Sequence, residues 1–373
     1  MELQKILRRN FGNDTAGDGG PTVSYMTPGV FKREILMMVK GFTLGLLSIG
    51  LSGCASFIAN EITSPKKSNI KGNLSDWTVE RQFCDRKNYC VKGIGLGDFD
   101  AIKSLSFDFH INDNHKIWRY ETNNDSVENA KPLENHLILL FAGYTQPTQT
   151  LLIHQKWLQL MTGADVIVIP SAENSETFEF GLNYASPLIA EIQRLNPAKV
   201  HLIGFSMGAL AASEVGQGID NARLYLVAPM TDFDHSAKAI YDIFYKDKIY
   251  AKFIRQETLE DAIQIIYEKS GTTSKDTDLI EKLNSAKSPT FIYASNKDKV
   301  VEHSDFNAIP NDNVDVNIYG ELNHIEMVAL LRQDLMIDLV SDLLERPVLE
   351  SEITTLGILC DFDDNDCLNQ LPN

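Results

Sequence analysis

The residues best equipped for chemistry stand in the segment Val200, His201, Leu202, Ile203, Gly204, Phe205, Ser206, Met207, Gly208, Ala209. An apolar run leads into Ser206, and a small-residue run with Ala209, Ala211 and Ala212 leads out, the pattern of a strand turning sharply into a helix. A turn that sharp strains the serine backbone, and side chains at 204 and 208 would meet neighbouring main chain, so glycine suits both places. The bare GxSxG spacing arises by chance about once in ten chains of this length, and its flanks are what give it weight. Ser206 Oγ is then exposed at a helix N-terminus. A serine hydroxyl becomes a nucleophile when an imidazole takes its proton, and the imidazole needs a carboxylate to fix its tautomer. Two weaker patterns carry less. Gly93, Gly95 and Gly97 lack the strand and helix that a dinucleotide site needs, and read as a flexible loop. Asp361, Asp363, Asn365 and Asp366 resemble part of a calcium loop but lack its bidentate glutamate, and read as a solvated acidic tail.

With that nucleophile turn, the chain resembles the α/β-hydrolase superfamily over roughly residues 105 to 345. The resemblance implies the order Ser, acid, His, each at the carboxyl end of a different strand. Asp298, in Asn296-Lys297-Asp298-Lys299-Val300-Val301, is similar to the family's acid loop, and His324, in Gly320-Glu321-Leu322-Asn323-His324, to its histidine loop. Asp232 and Asp234 are rivals for the acid, and His235 and His303 read as surface histidines. The oxyanion hole implied is the backbone N–H of Met207 with that of Tyr144, although this chain carries Ala142-Gly143 where many members carry His-Gly. The implied reaction is acyl transfer to water through an acyl-serine, without metal or organic cofactor, on carboxylic esters of lipids or small molecules. Two alternatives stay open: an acyltransferase or peptidase of the same fold, and a non-catalytic binding lipoprotein that keeps the fold as a surface.

The elements that must position these residues follow from periodicity. Strands are predicted at His136 to Phe141, Asp165 to Pro170, Lys199 to Gly204, Ala222 to Val227, Thr290 to Ala294 and Val314 to Tyr319. Helices are predicted at Thr148 to Thr162, Thr177 to Leu195, Met207 to Val215 and Glu326 to Leu344. Alternation of this kind implies an α/β fold, a mostly parallel doubly wound sheet. Leu105, Phe107 and Phe109, then Ile117 to Tyr120, predict an antiparallel opening hairpin. The stretch 231–288, with Leu259, Ala262, Ile263 and Ile266 at helical spacing and aromatics such as Tyr241, is too long for a loop and reads as a helical cap inserted before the acid-bearing strand. The domain reading is therefore 101–345 for the hydrolase domain and 346–373 for a tail.

The N-terminal part reads as an address. Lys32, Arg33 and Lys40 precede an apolar stretch from Phe42 to Leu51 that is too short to span a bilayer, as in a secretory signal. It ends in Leu51-Ser52-Gly53-Cys54, which resembles the lipobox of bacterial lipoproteins and implies acylation of Cys54. Residues 1–53 are then leader, and 54–100 a tether and N-terminal extension in which 55–75 holds no core. The residues before Met26 or Met37 suit a start assigned too far upstream. Ala55 is not the aspartate of inner-membrane retention, so the implied site is the periplasmic face of the outer membrane, reached through the lipid anchor. The remaining cysteines form close pairs, Cys84 with Cys90 and Cys360 with Cys367, which an exported compartment permits as disulfides, the alternative being buried thiols. A net charge of −17, from 34 basic and 51 acidic residues, disfavours nucleic acid and anionic membrane surfaces as partners.

Overall fold

The computed structural model describes residues 22–26, 52–65, 77–97, 104–111, 116–123, 131–244, 246, 254–330, 332–353 and 356–361. In chain order its strands are β1 (Thr22–Met26), β2 (Thr78–Cys84), β3 (Cys90–Leu96), β4 (Ser104–Ile111), β5 (Lys116–Asn123), β6 (Leu137–Phe141), β7 (Asp165–Ile169), β8 (Val200–Phe205), β9 (Ala222–Val227), β10 (Thr290–Ser295), β11 (Val314–Tyr319) and β12 (Leu356–Asp361). Eight of them form the central sheet in the order β11-β10-β9-β8-β6-β7-β3-β2. Strands β6 to β11 run parallel, and the hairpin β2-β3 joins β7 antiparallel.

The inner strands β6 and β8 are buried along their whole length because helices cover both faces, whereas the edge strand β11 keeps Asp315 and Asn317. On one face Ile138, Leu140, Val168, Ile203, Phe205 and Tyr225 form a core with helices α2 (Leu152–Thr162) and α9 (Gln333–Leu344). Their alternates Leu139, Phe141, Ile167, Leu202 and Leu224 form a second core with α3 (Ala185–Leu195), α4 (Gly208–Gln217) and α7 (Leu279–Asn284). Because β8 to β11 run parallel, the carboxyl ends of β8, β10 and β11 lie at one edge, where the loops are free to carry function.

Several expectations are corrected. The predicted hairpin exists as β4-β5, but it pairs with β1 and β12 in a separate four-stranded sheet. The antiparallel opening of the main sheet is β2-β3, so the sheet starts within the segment assigned to the extension. Gly93 and Gly95 lie in β3 rather than in a flexible loop, since the pleat there packs against Phe83 and Ile167 with no room for a side chain at 93. β1 lies inside the assigned leader. The predicted helix from 177 begins only at 185, because Phe180 and Gly181 take positive φ. The closing helix is two, α8 (His324–Val328) and α9, interrupted at Leu330, whose φ of 51° no helix accommodates.

The reading of 55–75 as a tether without a core also fails in part. Residues Ser52–Thr63 form helix α1, which buries Ala55 and Ala59 against the inserted helices α5 (Phe233–Phe244) and α6 (Gln256–Ser270). Lys269 Nζ donates to Asn60 Oδ1 across this junction at 2.5 Å. Cys84 and Cys90 face each other across β2-β3 and are disulfide-bonded. Cys360 falls in β12, where side chains are not described, and Cys367 lies outside the described residues, as do Asp363, Asn365 and Asp366. Among the described residues no helix is long and apolar enough to cross a membrane.

Candidate active site

Ser206 follows β8 at a φ of 50°, the left-handed region that a serine occupies only under constraint. The constraint is visible: Ser206 N–H donates to Val227 O at 3.0 Å, and Ser206 O accepts from Ala209 N at 3.0 Å and Met230 N at 3.2 Å. A Cβ at Gly208 would fall 2.4 Å from Phe141 O and 2.7 Å from Ala142 O, so the helix can start this close to β6 only with glycine there. The next amide, Met207, caps α4, where the unpaired N–H groups and the helix dipole favour negative charge.

Asp298 lies in the turn after β10, its side chain 1% exposed. Its Oδ1 accepts from Val300 N at 2.8 Å and Val301 N at 3.2 Å, which leaves Oδ2 facing His324 Nδ1 at 2.7 Å. His324 is the first residue of α8. Asn323 caps that helix reciprocally with Glu326: the Asn323 side chain accepts from Glu326 N at 3.1 Å, and Glu326 Oε2 accepts from Asn323 N at 2.8 Å. His324 Nε2 then stands 3.0 Å from Ser206 Oγ. Three residues separated by 118 and 26 positions thus form one continuous chain of hydrogen bonds. With Nδ1 donating to the carboxylate, Nε2 carries the lone pair that can accept the serine proton.

The rivals are engaged elsewhere. Asp232 Oδ1 accepts from His235 N at 2.7 Å, and Asp234 Oδ1 accepts from Tyr267 OH at 2.7 Å. His235 is exposed, and His303 lies in a short helical turn, Glu302 being the carboxylate near both. Among the described residues no group of three or more His, Cys, Asp and Glu is placed to hold a metal.

The turn after β6 brings Gly143, Tyr144 and Thr145 beside the serine. A Cβ on Gly143 would lie 3.2 Å from Ser206 Cβ. Gly143 N donates to Gln146 Oε1 at 2.8 Å and Thr145 N to Glu173 Oε1 at 3.0 Å, so side chains hold the amides on either side of Tyr144. Gln146 Nε2 also donates to Val328 O at 3.3 Å, tying this turn to the helix that carries His324. Sequence reasoning missed Gln146, Glu173 and the capping pair. The pattern Asn323-x-x-Glu326 was a legible capping signal, whereas nothing local marks a glutamine that bridges two distant loops.

Behind the site, the buried His154 ring stacks on Phe205 at 6.4 Å, accepts the Trp157 indole N–H at 3.0 Å and hydrogen-bonds the Ala329 backbone. Burial lowers its pKa to about 3 and keeps it neutral. It braces the strand before Ser206 against the turn after His324.

An apolar wall rises on one side of Ser206. Met207, Met230, Phe178, Phe180 and Phe233 form a third cluster with α6, and Ile58, Ile62 and Tyr144 pack against it. Phe178 meets the Tyr144 ring edge-on at 6.3 Å, and Tyr144 OH donates to Ile62 O at 2.8 Å. Helix α1 therefore reaches the rim of the site.

The sequence matches no family model, and a search of curated proteins finds no relative. Solved structures do resemble the fold. An esterase of Pyrococcus furiosus aligns at a TM-score of 0.52 and 13% identity, covering 76% of this chain and 97% of that one. A second crystal form of it aligns at 0.50 and 13%, covering 76% and 96%. The architecture is the α/β-hydrolase fold, an eight-stranded, mostly parallel sheet flanked by helices.

Proposed function

We propose that this protein is a serine hydrolase of carboxylic esters. The observation that carries the reading is His324 bridging Ser206 Oγ at 3.0 Å and Asp298 Oδ2 at 2.7 Å, at the carboxyl edge of the sheet. That a solved structure of similar fold is an esterase is consistent with it. Ser206 Oγ attacks the acyl carbonyl while His324 Nε2 takes its proton, and Asp298 stabilises the imidazolium. The oxyanion accepts from the backbone N–H groups of Met207 and Tyr144, at the cap of α4 and in the turn after β6. The alcohol leaves with the proton from His324, and water, deprotonated by the same imidazole, releases the acid. The acyl group lies along the wall formed by Met207, Phe178 and Met230.

In the same reading Cys54 carries a lipid anchor in the cell envelope, at the periplasmic face of the outer membrane. The exposed position of Cys54 is compatible with acylation. Fluorophosphonate labelling of the folded protein, lost in Ser206→Ala, tests the nucleophile. Absence of labelling in the folded wild type refutes the hydrolase. Incorporation of labelled palmitate, lost in Cys54→Ala, tests the anchor separately.

A further inference from the structure

Helix α1 has two faces. Ala55, Ala59 and Ile62 turn inward to the cap, and the other side presents Cys54, Phe57 and Ser64, with Asn60 at the seam where it meets Lys269. Phe57 is 52% exposed, one of few large apolar side chains to be so among the described residues, and it stands one turn from Cys54 on the same side. Glu61, the helix's single charged residue, lies toward the far end. The inner side of this helix receives Tyr144 OH at Ile62 O, and Tyr144 adjoins the nucleophile. From Cys54 to Ile62 the helix advances about 12 Å along its axis, less than half the thickness of a bilayer's hydrocarbon core.

We infer that the outer face of helix α1 rests on the lipid bilayer through Cys54 and Phe57, and that the catalytic rim opens there onto acyl esters presented by the membrane. The proposal rests on the ester-hydrolase and lipid-anchor readings above and adds to them an orientation and a substrate source. A lipid chain on a long, flexible tether would leave the catalytic domain free to tumble. Here the attachment point begins a helix that is packed onto the cap, so anchor and cap move as one body. Phe57 supplies apolar surface beside the anchor, a second contact that fixes the orientation a lipid alone leaves free. The protein's strong negative charge supplies no attraction to anionic lipid, so the adhesion depends on these apolar groups.

The test uses the full chain, purified with its lipid and placed in vesicles of phosphatidylethanolamine and phosphatidylglycerol. In one arm Phe57→Trp is compared with wild type in vesicles made with brominated acyl chains, which quench an indole buried among them. The expected result is strong quenching of the added indole, and an unquenched one overturns the docking. In the second arm the vesicles contain a fluorogenic phospholipid ester, and a short water-soluble ester is assayed in parallel. Phe57→Asp is expected to lower turnover of the vesicle ester about ten-fold, the loss of one buried phenyl group, and to leave the soluble ester unchanged. Equal turnover of the vesicle ester by both proteins overturns the membrane source. Quenching without turnover of either ester keeps the docking and removes the hydrolase reading, and failure of Cys54 to take up palmitate removes the anchored orientation.

Discussion

Replacing Asp298 by asparagine isolates the role of one proton. In the native site Oδ1 is held by two backbone donors, Val300 N at 2.8 Å and Val301 N at 3.2 Å, and Oδ2 faces His324 Nδ1 at 2.7 Å. The asparagine carbonyl must take the place of Oδ1, because an NH2 group there would oppose both amides. Its Nδ2 is thus forced toward His324, where it donates to Nδ1 and drives the ring proton to Nε2. Nε2, 3.0 Å from Ser206 Oγ, is then a donor and can no longer accept the serine proton. The same tautomer error in enzymes with this triad costs about ten-thousand-fold in kcat, or roughly 5.5 kcal/mol of barrier. KM is expected to stay near wild type, since nothing that meets the acyl group changes. The assay is steady-state hydrolysis of a short ester, with the thermal midpoint as a control that should hold because both amide bonds survive. Retention of more than about one-tenth of wild-type kcat would refute the reasoning. A matching loss in Asp232→Asn would transfer the acid role to that residue.

Other outcomes follow from the same geometry. Gln146→Ala removes the acceptor for Gly143 N–H and the donor to Val328 O; kcat should fall about ten- to hundred-fold with KM within about two-fold, read from the same kinetics. Gly208→Ala sets a methyl 2.4 Å from Phe141 O, and should cost about 3 kcal/mol or more, seen as a lowered urea midpoint or failure to fold. His154 and His201 are both lowered to about 3 by burial, so the unfolded chain binds protons that the native one does not; stability should be intact above pH 6.5 and decline as pH falls from there toward 3. Urea titrations at stepped pH should give that sign for each group at up to about 1.4 kcal/mol per pH unit, with a shallower slope in His154→Gln.

The sheet was legible in the sequence wherever both faces are buried, because apolar runs such as Leu137–Phe141 and Val200–Phe205 have no other use. The nucleophile turn was legible too, since its glycines answer a close approach of backbone. Strand β3 was not, because glycines at 93 and 95 look like punctuation until Phe83 and Ile167 are seen to fill the space above one of them. Helix α1 did carry a signal: Ala55, Ile58, Ala59 and Ile62 stand at i, i+3, i+4 and i+7. Small alanines and the polar neighbours Ser56, Asn60 and Ser64 hid it. The break at Leu330 and the bridging of Gln146 are set by tertiary contacts, and no window of sequence contains them.

The seating of helix α1 also sets an order of assembly. Its Asn60 meets Lys269, 209 residues further along, and its alanines pack on a helix that ends at Ser270. Contacts of such sequence separation form late, since a long loop must close before they gain anything. During synthesis the helix must wait, uncovered, until more than two hundred later residues have emerged and folded. The seating of helix α1 at the catalytic rim is therefore among the last steps to be completed, and a chain that ends before Ser270 lacks Asp298 and His324 as well.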